Sequence, residues 1–382
     1  TSEALVKAYL ARIKAVDEAG PTLQSILTLN PNALDEARAI DARRADGEAL
    51  PPLAGVPVVL KDNIETLDPM PTTAGALVLA DNMTERDSPL AAGLRAQGAI
   101  ILGKTNLSQW ANFRSNNSVS GWSALGGQVR NPHMLDRSPC GSSSGTGAAI
   151  AASLAAGGVG TETNGSIICP SNVNGIVGFK PTVGLVPQKY IVPISVSQDT
   201  AGPMTKSVRG AAMMLSAMAT NDAGVPNETD YAAGLSETSL QGKRVGVLRF
   251  SEGSNPDIIA RFNAAIKVLE AEGAELVEIA DFDLAAEGYG QKSLDVLLYE
   301  FKDGINHYLS DAAPAVPART LEAVIAFNNE NADFEQAVFD QSLFDQAQEK
   351  GPLTDADYTT ALDDVQRATG PMGIDKLMAD TN

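Results

Sequence analysis

The sequence predicts an α/β fold with a mixed or parallel sheet, and three observations carry that prediction. Short apolar runs (LAGVPVVL, AIILG, GGVGTET, RVGVLRF) alternate with stretches whose apolar residues recur every three to four positions. RVGVLRF, residues 256–273 and AELVEIA read as strand, helix and strand, a βαβ unit with a right-handed crossover. From residue 284 to the end the pattern is almost entirely helical. The 382 residues are long for one domain, yet a single large α/β unit reaches this size and buries roughly three quarters of its unfolded surface. Residues 1–283 are therefore read as the α/β core and 284–382 as a mainly helical extension packed on the same domain.

The elements follow in order. Residues 2–19 are helical by period, with Leu5, Tyr9, Leu10 and Ile13 on one stripe, and a second helix spans 32–46. LAGVPVVL is a strand leading to a loop that holds Lys61. A helix near 88–97 precedes the strand AIILG, and a short helix starts at Asn106. Residues 114–140 are polar and Gly-rich with two prolines, which marks a long loop of the kind compact proteins usually keep for function. Residues 145–156 are small and apolar, a closely packing helix; GGVGTET and Ile176–Lys180 are short strands, and 206–219 is a helix.

Composition narrows the function classes. The chain is 44% hydrophobic and 20% charged, which reads as globular and soluble, and no run approaches the roughly 18 apolar residues of a membrane helix. The formal net charge of −19 argues against nucleic acid or an anionic membrane as partner. Cys140 and Cys169 do not make a disulfide framework, and both are read as small buried apolar residues. No signal peptide or lipidation motif opens the chain, but it starts at Thr1 on the first turn of a helix, which leaves its compartment unread.

Two motif matches fail on context. GAIILGKT (98–105) fits the phosphate-loop pattern, but its interior AIIL is itself a strand and cannot cradle a phosphate. GSSSG (141–145) fits the nucleophile elbow at Ser143, but RNPHMLDRSPC cannot be the central strand an elbow needs. Only two histidines exist, His133 and His307, with no H-E-x-x-H or C-x-x-C, so no metal site is expected.

Serine chemistry remains. Serine is a poor nucleophile until a base takes its proton. With no suitable histidine, lysine is the alternative, and Ser-Lys variants of the triad exist. Lys61 follows VPVVL, so burial lowers its pKa towards the neutral form a base requires. Asp62 is adjacent, and its side chain is expected to diverge. Two Gly-framed serine clusters hold Ser142 and Ser166, 24 residues apart, in turns where backbone amides can converge on an oxyanion. The competing readings are a snorkelling surface lysine, a helix cap for Ser142–Ser144 and a turn serine for Ser166.

GVPVVLKDNI, SPCGSSSGTGAAIAA and GTETNGSIICPSNVNGIVGFKPTVGLV, in that order, resemble the amidase signature family. The resemblance runs from about residue 2 to the end and is most specific over 53–206. GKTNLSQWANFRSNNSVSGWSALGGQVRNP and DRSPCGSSSG are most similar to bacterial peptide amidases, which remove the C-terminal amide of peptides. The resemblance implies a central mixed sheet flanked by helices on both faces, with the C-terminal part of the fold missing from this chain: a fragment, or a remainder supplied as a separate chain. It implies Ser166 as nucleophile, Ser142 behind a cis peptide bond as the bridging serine, and Lys61 as the base. The oxyanion amides are those of Thr163, Asn164, Gly165 and Ser166. No cofactor is implied.

Asn112, Phe113 and Trp122, in the loop 112–122, are read as bordering the substrate; equally, the two aromatics pack that loop down. Cys140, Ser144 and Asn164 stand where glycine is usual in the family. Ile168 replaces an arginine found in many members, which favours a neutral or peptide-like substrate over a charged amino acid. The leading reading is a peptide amidase. The alternatives are an aryl or aliphatic acylamidase of the same family and a catalytically silent scaffold that binds amides or a partner chain.

Overall fold

The computed structural model describes residues 1–236, 239–282 and 288–381. They fall into two compact units: residues 1–232 with 298–351, and residues 233–297 with 352–382. The division expected at residue 283 lies outside the described residues, and the helical tail is shared between the two units.

The first unit is built on a six-stranded mixed sheet. Its strands are β1 (Ile26–Leu29), β2 (Pro57–Lys61), β3 (Ile100–Thr105), β6 (Gly157–Glu162), β7 (Val177–Gly178) and β8 (Thr200–Thr205), while β4 (Trp122–Ser123) and β5 (Gly127–Gln128) form a separate two-residue hairpin. The sheet order is β1-β3-β2-β6-β8-β7, with β2 parallel to both β3 and β6 and the outer strands antiparallel.

Helices cover both faces, and strand alternation sorts the side chains between them. Val58, Leu60 and Ile101 pack with Leu90, Leu94, Met214 and Met218 on one face. Val59, Ile100 and Leu102 pack with Val6, Ile13, Ala37 and Ile150 on the other. A strand buried on both sides reads as the continuous apolar run PVVL.

The helices start where capping chemistry allows. Ser88 accepts from the amide of Ala91 and Ser207 from that of Gly210, each satisfying an orphan donor worth about 1 kcal/mol. The helix Ser144–Ala151 lies close on β6 because β6 is glycine-rich. A Cβ at Gly158 would sit 2.6 Å from Thr146 Cγ2 and 3.4 Å from Ile150 Cδ1, both on that helix.

The second unit contains β9 (Arg244–Leu248), the helix Pro256–Ala271 and β10 (Glu275–Ile279), with the two strands paired in parallel. The predicted βαβ unit is present, as its own two-stranded sheet.

Three local readings change. β8 is a full strand inside the six-stranded sheet, although TAGPMT carries Gly202 and Pro203, residues that weaken or exclude most strands. The helix expected from Asn106 is a 3₁₀ turn, Gln109–Asn112. Cys140 and Cys169 are joined in a disulfide, correcting their reading as separate buried thiols. Their Cα atoms lie 5.9 Å apart, a separation sequence spacing cannot reveal.

Candidate active site

β2 and β6 run side by side in the same direction, so Lys61 and Glu162 end them at one edge of the sheet. Lys61 is fully buried and belongs to the strand rather than to a loop. Its Nζ lies 2.7 Å from Ser142 Oγ, 2.7 Å from Thr161 Oγ1 and 3.3 Å from the Thr161 carbonyl. Burial pushes the ammonium down to about 7, against the opposing pull of Asp199 and Glu162. Asp62 does diverge: its carboxylate pairs with the buried Lys104 at 3.0 Å on the other side of the strand end. Lys104, the lysine of the rejected phosphate-loop match, is thus held inside the strand Ile100–Thr105.

Ser142 follows a cis peptide bond at Gly141. A side chain at Gly141 would have to displace its neighbours, since a Cβ there would stand 2.2 Å from Ser108 Oγ and 2.8 Å from Ser144 Oγ. Ser143 joins the two serine segments. Its amide donates to the Ser166 carbonyl at 3.1 Å, and its hydroxyl exchanges bonds of 3.2 Å with the Thr161 carbonyl and amide. The Cys140–Cys169 disulfide joins the same two segments from outside, starting two residues before Ser142 and ending three after Ser166.

The turn carrying Ser166 is organised by carboxylates that the sequence reading passed over. Glu162 accepts from the amides of Gly165 (2.8 Å), Ile167 (2.7 Å) and Ile168 (2.9 Å). The Gly165 amide, expected at the oxyanion hole, is therefore spent on Glu162. Thr163, Asn164 and Ser166 keep the turn's remaining donors. Gly165 itself has a φ of +83°, which glycine adopts at little cost. Asp199 accepts from Thr163 Oγ1 at 2.5 Å and from the amides of Ile194 (2.8 Å) and Ser195 (2.9 Å); burial holds its carboxyl above the usual range. Ser166 is 8% exposed, whereas Ser142 is wholly covered.

Asn112 ends the turn in which Trp110, Ala111 and Asn112 all have φ between +50° and +70°. Each such non-glycine residue costs about 1–3 kcal/mol, so the surroundings must hold the turn in place. Asn112 Oδ1 is buried without a partner, while Nδ2 donates to Ser120 Oγ at 3.3 Å. Phe113 packs on Phe301 with ring centroids 5.0 Å apart, and Trp122 meets Phe339 edge-on at 5.2 Å. Both aromatics thus have packing partners within the protein.

Thr161, Asn63, Glu162 and Asp199 were not singled out. Asn63 Nδ2 donates to Thr161 Oγ1 at 3.0 Å and completes the surroundings of Lys61. Thr161 and Glu162 lie in the apolar-to-polar change of GVGTET, the one signal available; Asp199 has none. Among the described residues, no cluster of three or more His, Cys, Asp or Glu could hold a metal, and no helix is long and apolar enough to cross a membrane.

Comparison with known proteins places this geometry. The family Amidase matches residues 4–368. A putative amidase of Arthroderma benhamiae is 42% identical over 77% of this chain and 51% of its own length. A probable amidase of Arabidopsis thaliana is 38% identical over 88% of this chain and 66% of its own. The chain thus spans about half to two thirds of these curated relatives. Among solved structures, the native peptide amidase of Stenotrophomonas maltophilia superposes with a TM-score of 0.91 at 44% identity, over 98% of this chain and 77% of that one. An amidase family protein of Bacillus anthracis gives a TM-score of 0.88 at 34% identity, over 98% of this chain and 76% of that one. With the family matched along nearly the whole sequence and the fold superposing on solved members over 98% of the chain, the chain belongs to the amidase signature family.

Proposed function

We propose that this chain hydrolyses carboxamides through an acyl-enzyme on Ser166 and that its substrates are peptides ending in a C-terminal amide. One observation carries the reading: a fully buried lysine, pushed down to about 7, stands 2.7 Å from the hydroxyl of Ser142. Near neutral pH such a lysine spends part of its time as a base. Ser166 gives its proton to Lys61 by way of Ser142 and attacks the amide carbonyl. The oxyanion is received by the amides of Thr163, Asn164 and Ser166, the donors that Glu162 leaves available. The relay returns the proton to the departing ammonia, and water activated in the same way releases the acid.

The peptide preference rests on two further points. Ile168, 47% exposed two residues after Ser166, offers no cation to an acidic substrate. The Stenotrophomonas protein, at 44% identity, is a peptide amidase, and the structure of a peptide amidase that is also 44% identical holds the competitive inhibitor chymostatin. Incubation with peptide amides, aryl acylamides and short aliphatic amides tests the reading by following ammonia and free acid. The expected result is fastest release from peptide amides, with a fluorophosphonate adduct mapped to Ser166. Faster turnover of aryl or aliphatic amides would move the assignment to an acylamidase, and no adduct together with no turnover would sink the catalytic reading.

Glu162 enters as a residue that shapes the nucleophile turn. Glu162→Gln replaces one acceptor oxygen by an NH₂ facing amide donors, and hydrogen bonds to a charged group are worth about 1.5–3 kcal/mol each. The expected outcome is a kcat roughly 10- to 100-fold lower with KM changed less than about threefold, the pattern of an interaction that matters most in the transition state. Steady-state kinetics on a peptide amide check it; an unchanged kcat would remove Glu162 from the machinery.

A further inference from the structure

The left-handed turn Trp110–Asn112 needs something to hold it, and the structure supplies it from far along the chain. Gln109 precedes the turn and Arg114 follows it, and both bind Glu335. Gln109 Nε2 donates to the Glu335 carboxylate; Arg114 Nη1 lies 2.8 Å from Gln109 Oε1 and 3.2 Å from Glu335 Oε2. Arg114 also donates to the carbonyls of Glu335 (2.5 Å) and Phe339 (2.9 Å), and its guanidinium stacks 4.1 Å from the Phe339 ring. All three polar side chains are wholly covered.

On its other side the turn reaches the candidate active site. Ala111 lines a cavity of about 10 Å³ together with Asn63, Thr161, Thr163 and Asp199. Thr161 is the residue whose hydroxyl meets Lys61 Nζ at 2.7 Å.

A covered ion pair is a poor way to gain stability, because desolvation offsets its attraction. This pair is incompletely satisfied as well, since Arg114 Nε has no partner. Burial pushes Arg114 down to about 10 and Glu335 up, so each group is held away from its ordinary charged preference. Such a pair is better explained by the single conformation it specifies than by the energy it contributes.

We propose that Arg114 and Glu335 are positioning residues for the amide site, clamping the turn Trp110–Asn112 in the left-handed conformation that sets Ala111 beside Thr161, the residue whose hydroxyl meets Lys61. The inference rests on the reading of Ser166 as nucleophile, and it assigns a functional part to the segment around residues 335–339, which the sequence left as an anonymous helical stretch.

The test uses the near-isosteric Glu335→Gln and the apolar pair Arg114→Met with Glu335→Leu. Three quantities are measured on each: kcat/KM for a peptide amide, the rate of fluorophosphonate labelling at Ser166, and Tm. The small probe asks only for Ser166, its relay and the oxyanion amides, whereas an extended amide also uses the turn. The expected result for Glu335→Gln is a 10- to 100-fold loss of kcat/KM with labelling within threefold of wild type. For the apolar pair, Tm returns to the wild-type value or above while kcat/KM stays low, an outcome that a merely structural role would not give. If the apolar pair does not fold, Glu335→Gln decides alone.

Turnover within twofold of wild type, or turnover and labelling falling together in step with Tm, would overturn the clamp while leaving Ser166 in place. A wild-type protein that takes no label would overturn the Ser166 reading, and the clamp with it.

Discussion

Replacing Lys61 by methionine lowers kcat/KM for amides by on the order of 10⁴- to 10⁶-fold, the range seen when a member of a nucleophile–base unit is removed. Methionine is unbranched and adaptable enough to occupy the lysine's covered slot, so the loss falls on chemistry rather than on the fold. Thermal stability holds or rises, because a residue whose charged form is penalised by burial is exchanged for one that carries no charge. On the proposed relay of Lys61, Ser142 and Ser166, the double variant Lys61→Met with Ser166→Ala is no slower than the worse of its parents. Losses that add in full would mean the residues act separately.

The wild-type pH profile makes the same point without mutation. Below about 7 Lys61 holds its proton and cannot accept another; above it the amine is neutral. The rate therefore climbs through pH 7 and levels off. An exposed lysine would place that limb near pH 10.4, and a profile flat from pH 5 to 9 would exclude Lys61 as the base.

How far the sequence foretold this site depends on how local each determinant is. Lys61 was legible because a lysine closing VPVVL must be either buried or turned away, and the serine clusters declared themselves through their glycines. The flanking helices were legible by period. β8 was not, because Gly202 and Pro203 imitate a turn until its two neighbours, β6 and β7, fix the segment in the sheet. The left-handed turn was hidden for the opposite reason. No glycine or asparagine–glycine pair announces Trp110 and Ala111; Arg114 and Glu335, 221 residues apart, hold the backbone there. The bond from the Gly165 amide to Glu162 was not legible, because its acceptor is a side chain and motif reading follows the backbone. Asp199 reaches the turn from the loop before β8, which no spacing rule connects to Ser166.

The disulfide is the other place where three-dimensional proximity overrode composition, and opening it should cost the protein dearly. Cys140 and Cys169 close a segment with a sequence separation of 29, for which loop-closure entropy predicts about 3–4 kcal/mol. That is a large share of the 5–15 kcal/mol typical of a folded protein. The expected result for Cys140→Ala with Cys169→Ala, or for wild type held in reductant, is a Tm lower by several degrees. Both cysteines are only half-buried, so a small reductant can reach them.

Activity should fall beyond what stability explains, because the bond ties the segment leading into Ser142 to the helix leaving Ser166. Without it, the Ser143 amide still donates to the Ser166 carbonyl at 3.1 Å and Asn174 Nδ2 to the Pro139 carbonyl at 3.0 Å. A relay is sensitive to misplacement of about 1 Å, so kcat measured well below the new Tm should drop roughly tenfold with KM little changed. If kcat holds at that temperature while Tm falls, the disulfide serves the fold alone and the bonds from Ser143 and Asn174 suffice to keep the two serines in register. If neither quantity moves, the two segments are held by the packing of Ser144–Ala151 against β6, and the bond between the cysteines contributes nothing to either.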